Sequence, residues 1–361
     1  MMRILNVSGI GMLFLCATIS CTSIDKKAVG DHVTFGMKDF KTTTDMKGEV
    51  LRVDSLVVPS RICVIPEYNL LIVADKGTNF LAKAYTLDSL KLIKYFVKKG
   101  EGPNEQLSIF HLQYDPLAKC LNVSDFYKRR IFNYAIDSII SSSITTLPIN
   151  NINFREMTLN KPVFISANKI LDLRDNSQGD SIGVFNFYND SGAITGITGK
   201  YPPIEKQYEK HQLWDVFAAG LNKSTDGSTI IVNYFNTDYL ELYDTTGRLV
   251  KRVQGPDISY PDYRSQSVAG GGVITQPSKK QRNAYCGLAK MQNNILVLYN
   301  GNPVGEGDDY STMLFQFSNH LTPETFYKLD IPVFLFDVDW TSRTVYGLTR
   351  EKEGAIIKYK L

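Results

Sequence analysis

The side chains best suited to chemistry in this 361-residue chain are carboxylates gathered in two runs. Asp172, Asp175 and Asp180 lie in LDLRDNSQGDS, and Glu306, Asp308 and Asp309 lie in GEGDDYS. Calcium takes about six to eight oxygen ligands, so either run could supply part of a shell. Neither run has EF-hand spacing, and solvated acidic turns are the commoner outcome. The four histidines, His32, His111, His211 and His320, stand in separate segments without the HExxH or paired spacing of a zinc site. No GxSxG elbow presents a serine nucleophile. The run 99–105 (KGEGPNE) could cradle a phosphate only if a helix followed it, and none is evident, so a turn rich in Gly and Pro fits better. These residues assign no catalytic group, metal or cofactor.

The elements around them repeat. An apolar strand followed by a polar turn recurs six times, at 69–76, 119–126, 168–175, 228–236, 294–301 and 343–350. Successive starts are 50, 49, 60, 66 and 49 residues apart, a period that reads as propeller blades. A second strand with alternating side chains follows each copy, at 80–87, 130–136, 182–188, 239–243, 313–317 and 355–359. Shorter apolar strands precede most copies, as at 62–65, 284–289 and 333–338. The last repeat ends at its third strand, while 50–58 (VLRVDSLVV) is a spare strand near the N-terminus. Pairing the two closes the ring and covers an open edge. The fold predicted is all-β, a six-bladed β-propeller over 46–361, with helix confined to loops and best placed at 204–214.

Segments 99–105, 240–257 (LELYDTTGRLVKRVQGPD) and 284–300 (AYCGLAKMQNNILVLYN) carry a family likeness. Over about 45–361 the chain resembles the TolB-like six-bladed β-propeller lipoproteins of Gram-negative gut bacteria. Asp75 and Asp125, in VADKGTN and VSDFYKRRI, resemble the strand-ending aspartates of NHL-like repeats, which chiefly hold turns. The resemblance implies a fold and a cell-envelope address rather than a substrate. Six-bladed propeller lactonases and arylesterases hold a metal in the channel, and by that likeness Asp215, Asp337 and Asp339 would be the contributors here. They come from two blades, so no metal is assigned.

In such a fold one face collects the long excursions 200–214, 256–282 and 300–310. Long loops on a rigid scaffold are commonly functional. Arg129, Tyr201, Trp214, Tyr263, Arg264, Tyr310 and Arg350 are the ligand-binding candidates on that face, as aromatic platforms and fork-like donors for sugars or peptides. The run Gly270-Gly271-Gly272 would make one loop mobile. The leading expectation is a binding or assembly module for an envelope protein, peptide or glycan. A metal-dependent hydrolase (lactonase- or esterase-like) or a lyase working in the channel comes second, and an outer-membrane scaffold third.

The address is read from the N-terminus. Arg3 precedes the apolar stretch 10–19 (IGMLFLCATI), too short to span a bilayer but suited to a signal peptide. Thr18-Ile19-Ser20-Cys21 follows and resembles a lipobox, with Thr18 where Leu is usual. Cys16 competes, but Leu15 before it is bulky. The division expected is a signal peptide over 1–20, lipidation at Cys21, a flexible tether over 21–45 and the propeller beyond. Thr22 in place of an aspartate leans toward the outer membrane. Removal of 1–20 takes only Arg3 and lowers the formal charge from +3 to +2, so nothing favours nucleic acid. Lys128-Arg129-Arg130 and Lys279, Lys280 and Arg282 read as solvated surface. Cys63, Cys120 and Cys286 are odd in number and far apart, which implies no disulfide framework.

Overall fold

The computed structural model describes residues 32–361 except 54, 142–144, 155–159, 178–179, 269, 271 and 306–309. Six antiparallel sheets surround a channel, each with four strands, a to d, counted outward. Blade one is Pro59–Ile65, Leu70–Asp75, Phe80–Thr86 and Leu92–Lys98. Blade two is His111–Asp115, Cys120–Asp125, Arg130–Ala135 and Asn150–Asn153. Blade three is Val163–Ser166, Lys169–Leu173, Phe185–Tyr188 and Ile194–Thr198. Blade four is Ala219–Lys223, Thr229–Tyr234, Tyr239–Asp244 and Leu249–Gln254. Blade five is Tyr285–Met291, Asn294–Tyr299, Ser311–Ser318 and Pro323–Val333. Blade six is Leu335–Asp339, Thr344–Leu348, Ala355–Lys360 and, from the other end of the chain, Glu49–Arg52.

The recurring apolar run is strand b of each blade. Neighbouring blades cover both its faces, so it is apolar almost throughout, as in Leu70, Leu71, Ile72 and Val73. Six hydrophobic clusters fill the six seams between adjacent blades. Aromatic rings meet edge to face across them, as Phe96 on Tyr134 and Phe185 on Tyr243. The spare N-terminal strand closes the ring: Arg52, Leu51, Val50 and Glu49 pair antiparallel with Ala355, Ile356, Ile357 and Lys358. That pairing joins the two ends of the chain and leaves no unpaired edge on Ala355–Lys360.

Buried aspartates pin the chain as it enters a blade. Asp75 accepts the amides of Val57 and Val58 at 2.8 Å, with Gly77 N–H and Lys83 beside them. Asp125 does the same for Leu107 and Ser108, and Asp172 for Asn160 and Lys161 at 2.6 and 2.7 Å. Asp75 and Asp125 therefore hold turns. Asp172 joins them rather than the calcium candidates, because it is fully buried and its oxygens are engaged by backbone amides.

Two expectations about the N-terminal and loop regions change. From His32 onward the stretch read as tether is docked on the propeller. Val33–Thr34 pairs parallel to the outer strand of blade four, and Thr42–Met46 pairs parallel to that of blade five at 325–329. Threonines at 42–44 carry no apolar signal, yet strand pairing needs only their backbone groups. Phe35 and Phe40 supply the burial, packing on Phe315 and Phe317. The helix expected at 204–214 starts late, as a 3-10 turn Lys210–Gln212 running into Leu213–Val216. Residues before it are held elsewhere: Tyr208 donates to the Pro261 carbonyl at 2.6 Å and Lys206 pairs with Asp262 at 3.0 Å. Cys16 and Cys21, like Glu306, Asp308, Asp309 and Gly271, lie outside the described residues.

Candidate functional site

All six inner strands enter from the face that bears the long excursions, and there the channel opens into a cavity of about 850 Å³. Its wall joins Arg61, Phe110, His111, Lys161, Phe235 and Phe334 to Tyr263, Tyr285 and Leu288. The excursions 200–214 and 256–282 rise beside it as one unit, with Gln212 donating to Ser265 at 3.1 Å across the hairpin formed by Tyr263–Ser267 and Val273–Pro277. Gly287, at φ +67°, carries the bulge that turns the inner strand of blade five at the rim. The approach is tight, since a Cβ on Gly220 would lie 2.9 Å from the Gly287 carbonyl oxygen.

Two cations flank one ring in this wall. The Arg61 guanidinium carbon lies 5.4 Å from the Phe110 ring centre and the Lys161 amine 5.9 Å from the same centre. Lys161 also stands 5.0 Å from the Phe235 ring centre. Their hydrogen bonds go to neutral oxygens: Arg61 Nε to the Phe110 carbonyl and Nη1 to the Ser60 carbonyl, both at 2.6 Å, and Lys161 Nζ to the Ala219 carbonyl at 2.9 Å. Burial, then repulsion from Arg61, pushes the Lys161 amine down to about 8. Burial pushes His111 down to about 3, helped by the positive charges of Lys290, Arg61 and Lys161, so its ring is neutral at pH 7. His111 is 3% exposed, and its Nε2 has no hydrogen-bond partner.

The structure brings two of the seven sequence candidates into this wall, Tyr263 and Arg350, the latter 5.2 Å from the Phe334 ring centre. Tyr201 is instead stacked on Phe217 at 4.5 Å, and Trp214 packs on the seam between blades three and four. Arg129 is exposed in a turn of blade two, with φ +52°. Arg264 is exposed on the hairpin, and Tyr310 is 38% exposed with its carbonyl held by Asn300. Sequence reasoning missed Arg61 and Lys161 and read His111 as packing. Arg61, His111 and Lys161 stand 50 residues apart, one per blade. The repeat period was the signal that could have found them, together with a cation opening an otherwise apolar strand.

The carboxylates considered for a channel metal do not converge. Asp337 lines a second cavity of about 420 Å³ at the opposite end of the channel, where it pairs with Lys290 at 3.1 Å and accepts Val64 N–H at 2.8 Å. Asp339 holds the turn at Thr341 and Ser342. Asp215 belongs to the short helix before blade four, and its backbone carbonyl accepts from Asn236. Among the described residues no three His, Cys, Asp or Glu side chains are placed to share an ion. Of the basic runs, Arg129, Lys279 and Lys280 are exposed, whereas Lys128 Nζ donates to the Gly102 and Glu105 carbonyls and so clamps the 99–105 turn. Cys63, Cys120 and Cys286 are buried.

Comparison with known proteins agrees with this architecture. A crystal structure of a DUF4221 family member from Bacteroides vulgatus is similar at 12% identity and TM-score 0.56, over 87% of this chain and 97% of that one. A protein named as a candidate exported protein of Bacteroides fragilis is similar at 11% identity and TM-score 0.52, over 88% and 99%. At such identities the likeness concerns the fold alone. The curated proteins contain no match. The profile of the TolB-like 6-blade propeller-like family matches residues 39–339, and this chain belongs to that family.

Proposed function

We propose that this protein is a cell-envelope binding module, lipid-anchored through Cys21, that takes a peptide or glycan at the cationic mouth of its propeller channel. The observation that carries the reading is the mouth itself. A cavity of this size combines aromatic walls with a few convergent polar groups, the usual make-up of a recognition site. The ring of blades holds those groups rigidly, and the paired excursions extend the wall outward.

Two observations support the address. The lipobox-like stretch ends at Cys21, and the similar Bacteroides fragilis protein bears an export name. Eleven positions separate Cys21 from His32, which is already docked on blade four. Extended chain spans about 3.5 Å per residue, so a lipid there would hold the propeller within roughly 40 Å of a bilayer. An outer-membrane location, a gut Gram-negative source and NHL-like turn aspartates fit the same picture.

The test is a peptide and glycan array probed with the protein and with Val58→Trp, which places a large ring at the mouth from a residue that is 49% exposed. Ligands held by the parent and lost by Val58→Trp are the expected result. Array ligands retained equally by both would remove the mouth as the site.

A further inference from the structure

We infer that the mouth selects a carboxylate attached to a ring-shaped body, the acid group held by Arg61 and Lys161 and the body lying on Phe235 and Phe334. The inference deepens the reading above and rests on it. Its first ground is unbalanced charge. Elsewhere in the propeller Lys83, Arg252 and Lys290 each meet a carboxylate, Asp75, Glu241 and Asp337 respectively, while the buried Arg174 donates to oxygens of Asn176, Asn186 and Ser181. Arg61 and Lys161 converge on one ring and, among the described residues, form no such pair. Asp172, whose charge acts on Lys161, already accepts three backbone amides, from Asn160, Lys161 and Leu173. Two like charges drawn together in a half-buried wall repel each other, and the Lys161 amine is held down first by its burial and next by Arg61. An anion entering the cavity would offset that repulsion.

The second ground is independent of charge. His111 Nε2 is buried at the border of the same cavity with no partner, and an unpartnered polar atom in such a place is costly. With a proton on Nε2 the neutral ring offers a third donor beside the two cations. The open donors also limit the anion. Arg61 has committed Nε and one hydrogen of Nη1, leaving the Nη2 edge, and Lys161 has committed Nζ to the Ala219 and Asn160 oxygens. The remaining Nη1 and Nη2 hydrogens of Arg61 form the two-pronged edge that a planar carboxylate accepts from with both oxygens. The aromatic lining then accommodates a sugar ring or an arene, and either source supplies the same carboxylate chemistry.

The probes are glucuronate and benzoate, each with its neutral counterpart, glucose and benzyl alcohol, titrated calorimetrically into the full chain at low salt. At least one of the acids should bind saturably, its counterpart should bind at least tenfold more weakly, and Arg61→Gln and Lys161→Met should each weaken the acid about tenfold or more. Lys161→Arg keeps the charge and should retain binding, which separates loss of the site from loss of folding. Neither acid binding, acids binding no better than neutral probes, or indifference to Arg61→Gln and Lys161→Met would overturn the inference. If a neutral array ligand binds, is lost in Val58→Trp and ignores Arg61→Gln, the inference fails while the mouth stands as a site. If Val58→Trp changes nothing, the site reading fails first.

Discussion

Replacing Lys161 with Met should stabilise this protein, although it removes a buried hydrogen bond. The Lys161 amine ordinarily titrates near 10.5 and is pushed down to about 8 in the fold, chiefly by burial and next by Arg61. At about 1.4 kcal/mol per tenfold change in proton affinity, keeping it charged at neutral pH costs the folded state at most roughly 3 kcal/mol. Met fills much of the same volume without charge. The lost bond to the Ala219 carbonyl returns about 1 kcal/mol, leaving a net gain of roughly 1–2 kcal/mol. The sign with pH follows from proton counting. Between about 8 and 10.5 the unfolded chain binds more protons at this site than the folded one, so the parent gains stability as pH rises through that window. The advantage of Lys161→Met should therefore be full at pH 7 and shrink toward about pH 10. Urea unfolding of both proteins at the two pH values measures it directly. A variant less stable than the parent at pH 7, or an advantage that does not change with pH, would refute the reasoning.

Other outcomes follow from the same geometry. Asp125→Ala removes a fully buried carboxylate that partners four amides and the Ser108 hydroxyl, and should cost about 3–5 kcal/mol by chemical denaturation, with Asp125→Asn milder. Phe40→Ala should cost about 3 kcal/mol and increase amide exchange at Thr42–Met46, because Phe40 anchors that strand against Phe315 and Phe326. Binding of a carboxylate at the mouth should fall above about pH 8 as Lys161 loses its proton, with Arg61, Asp172 and neutral His111 the neighbouring groups, and titration calorimetry across that range reads it. Cys21→Ala should move the protein from the membrane fraction to the soluble one and abolish labelling by an acyl-chain probe.

The blades were legible because burial on both faces makes strand b almost wholly apolar, and the closing strand was legible because a ring with one strand missing needs one, although it is Glu49–Arg52 rather than the whole of 50–58. The docked strand at Thr42–Met46 was not, since parallel pairing by backbone alone leaves no apolar alternation in TTTDM. Tyr201 and Trp214 looked like ligand platforms because an aromatic residue in a loop reads the same whether it faces solvent or, as here, the seam beneath it. Tyr263 and Arg350 were placed on the correct face by topology. The cations of the mouth escaped because each looks like a lone charge at a strand end. Only the ring, which brings positions 61, 111 and 161 round to one opening, makes them a cluster.

The central claim is that ligand enters the mouth between the inner strands, and hydrogen exchange on the full chain tests it most directly. With an array-selected ligand bound, protection is predicted at 57–61, 107–111, 160–162 and 283–288 and nowhere on the outer strands. Protection confined to the opposite cavity, around Lys290 and Asp337, or to the outer edges of the blades would contradict the account.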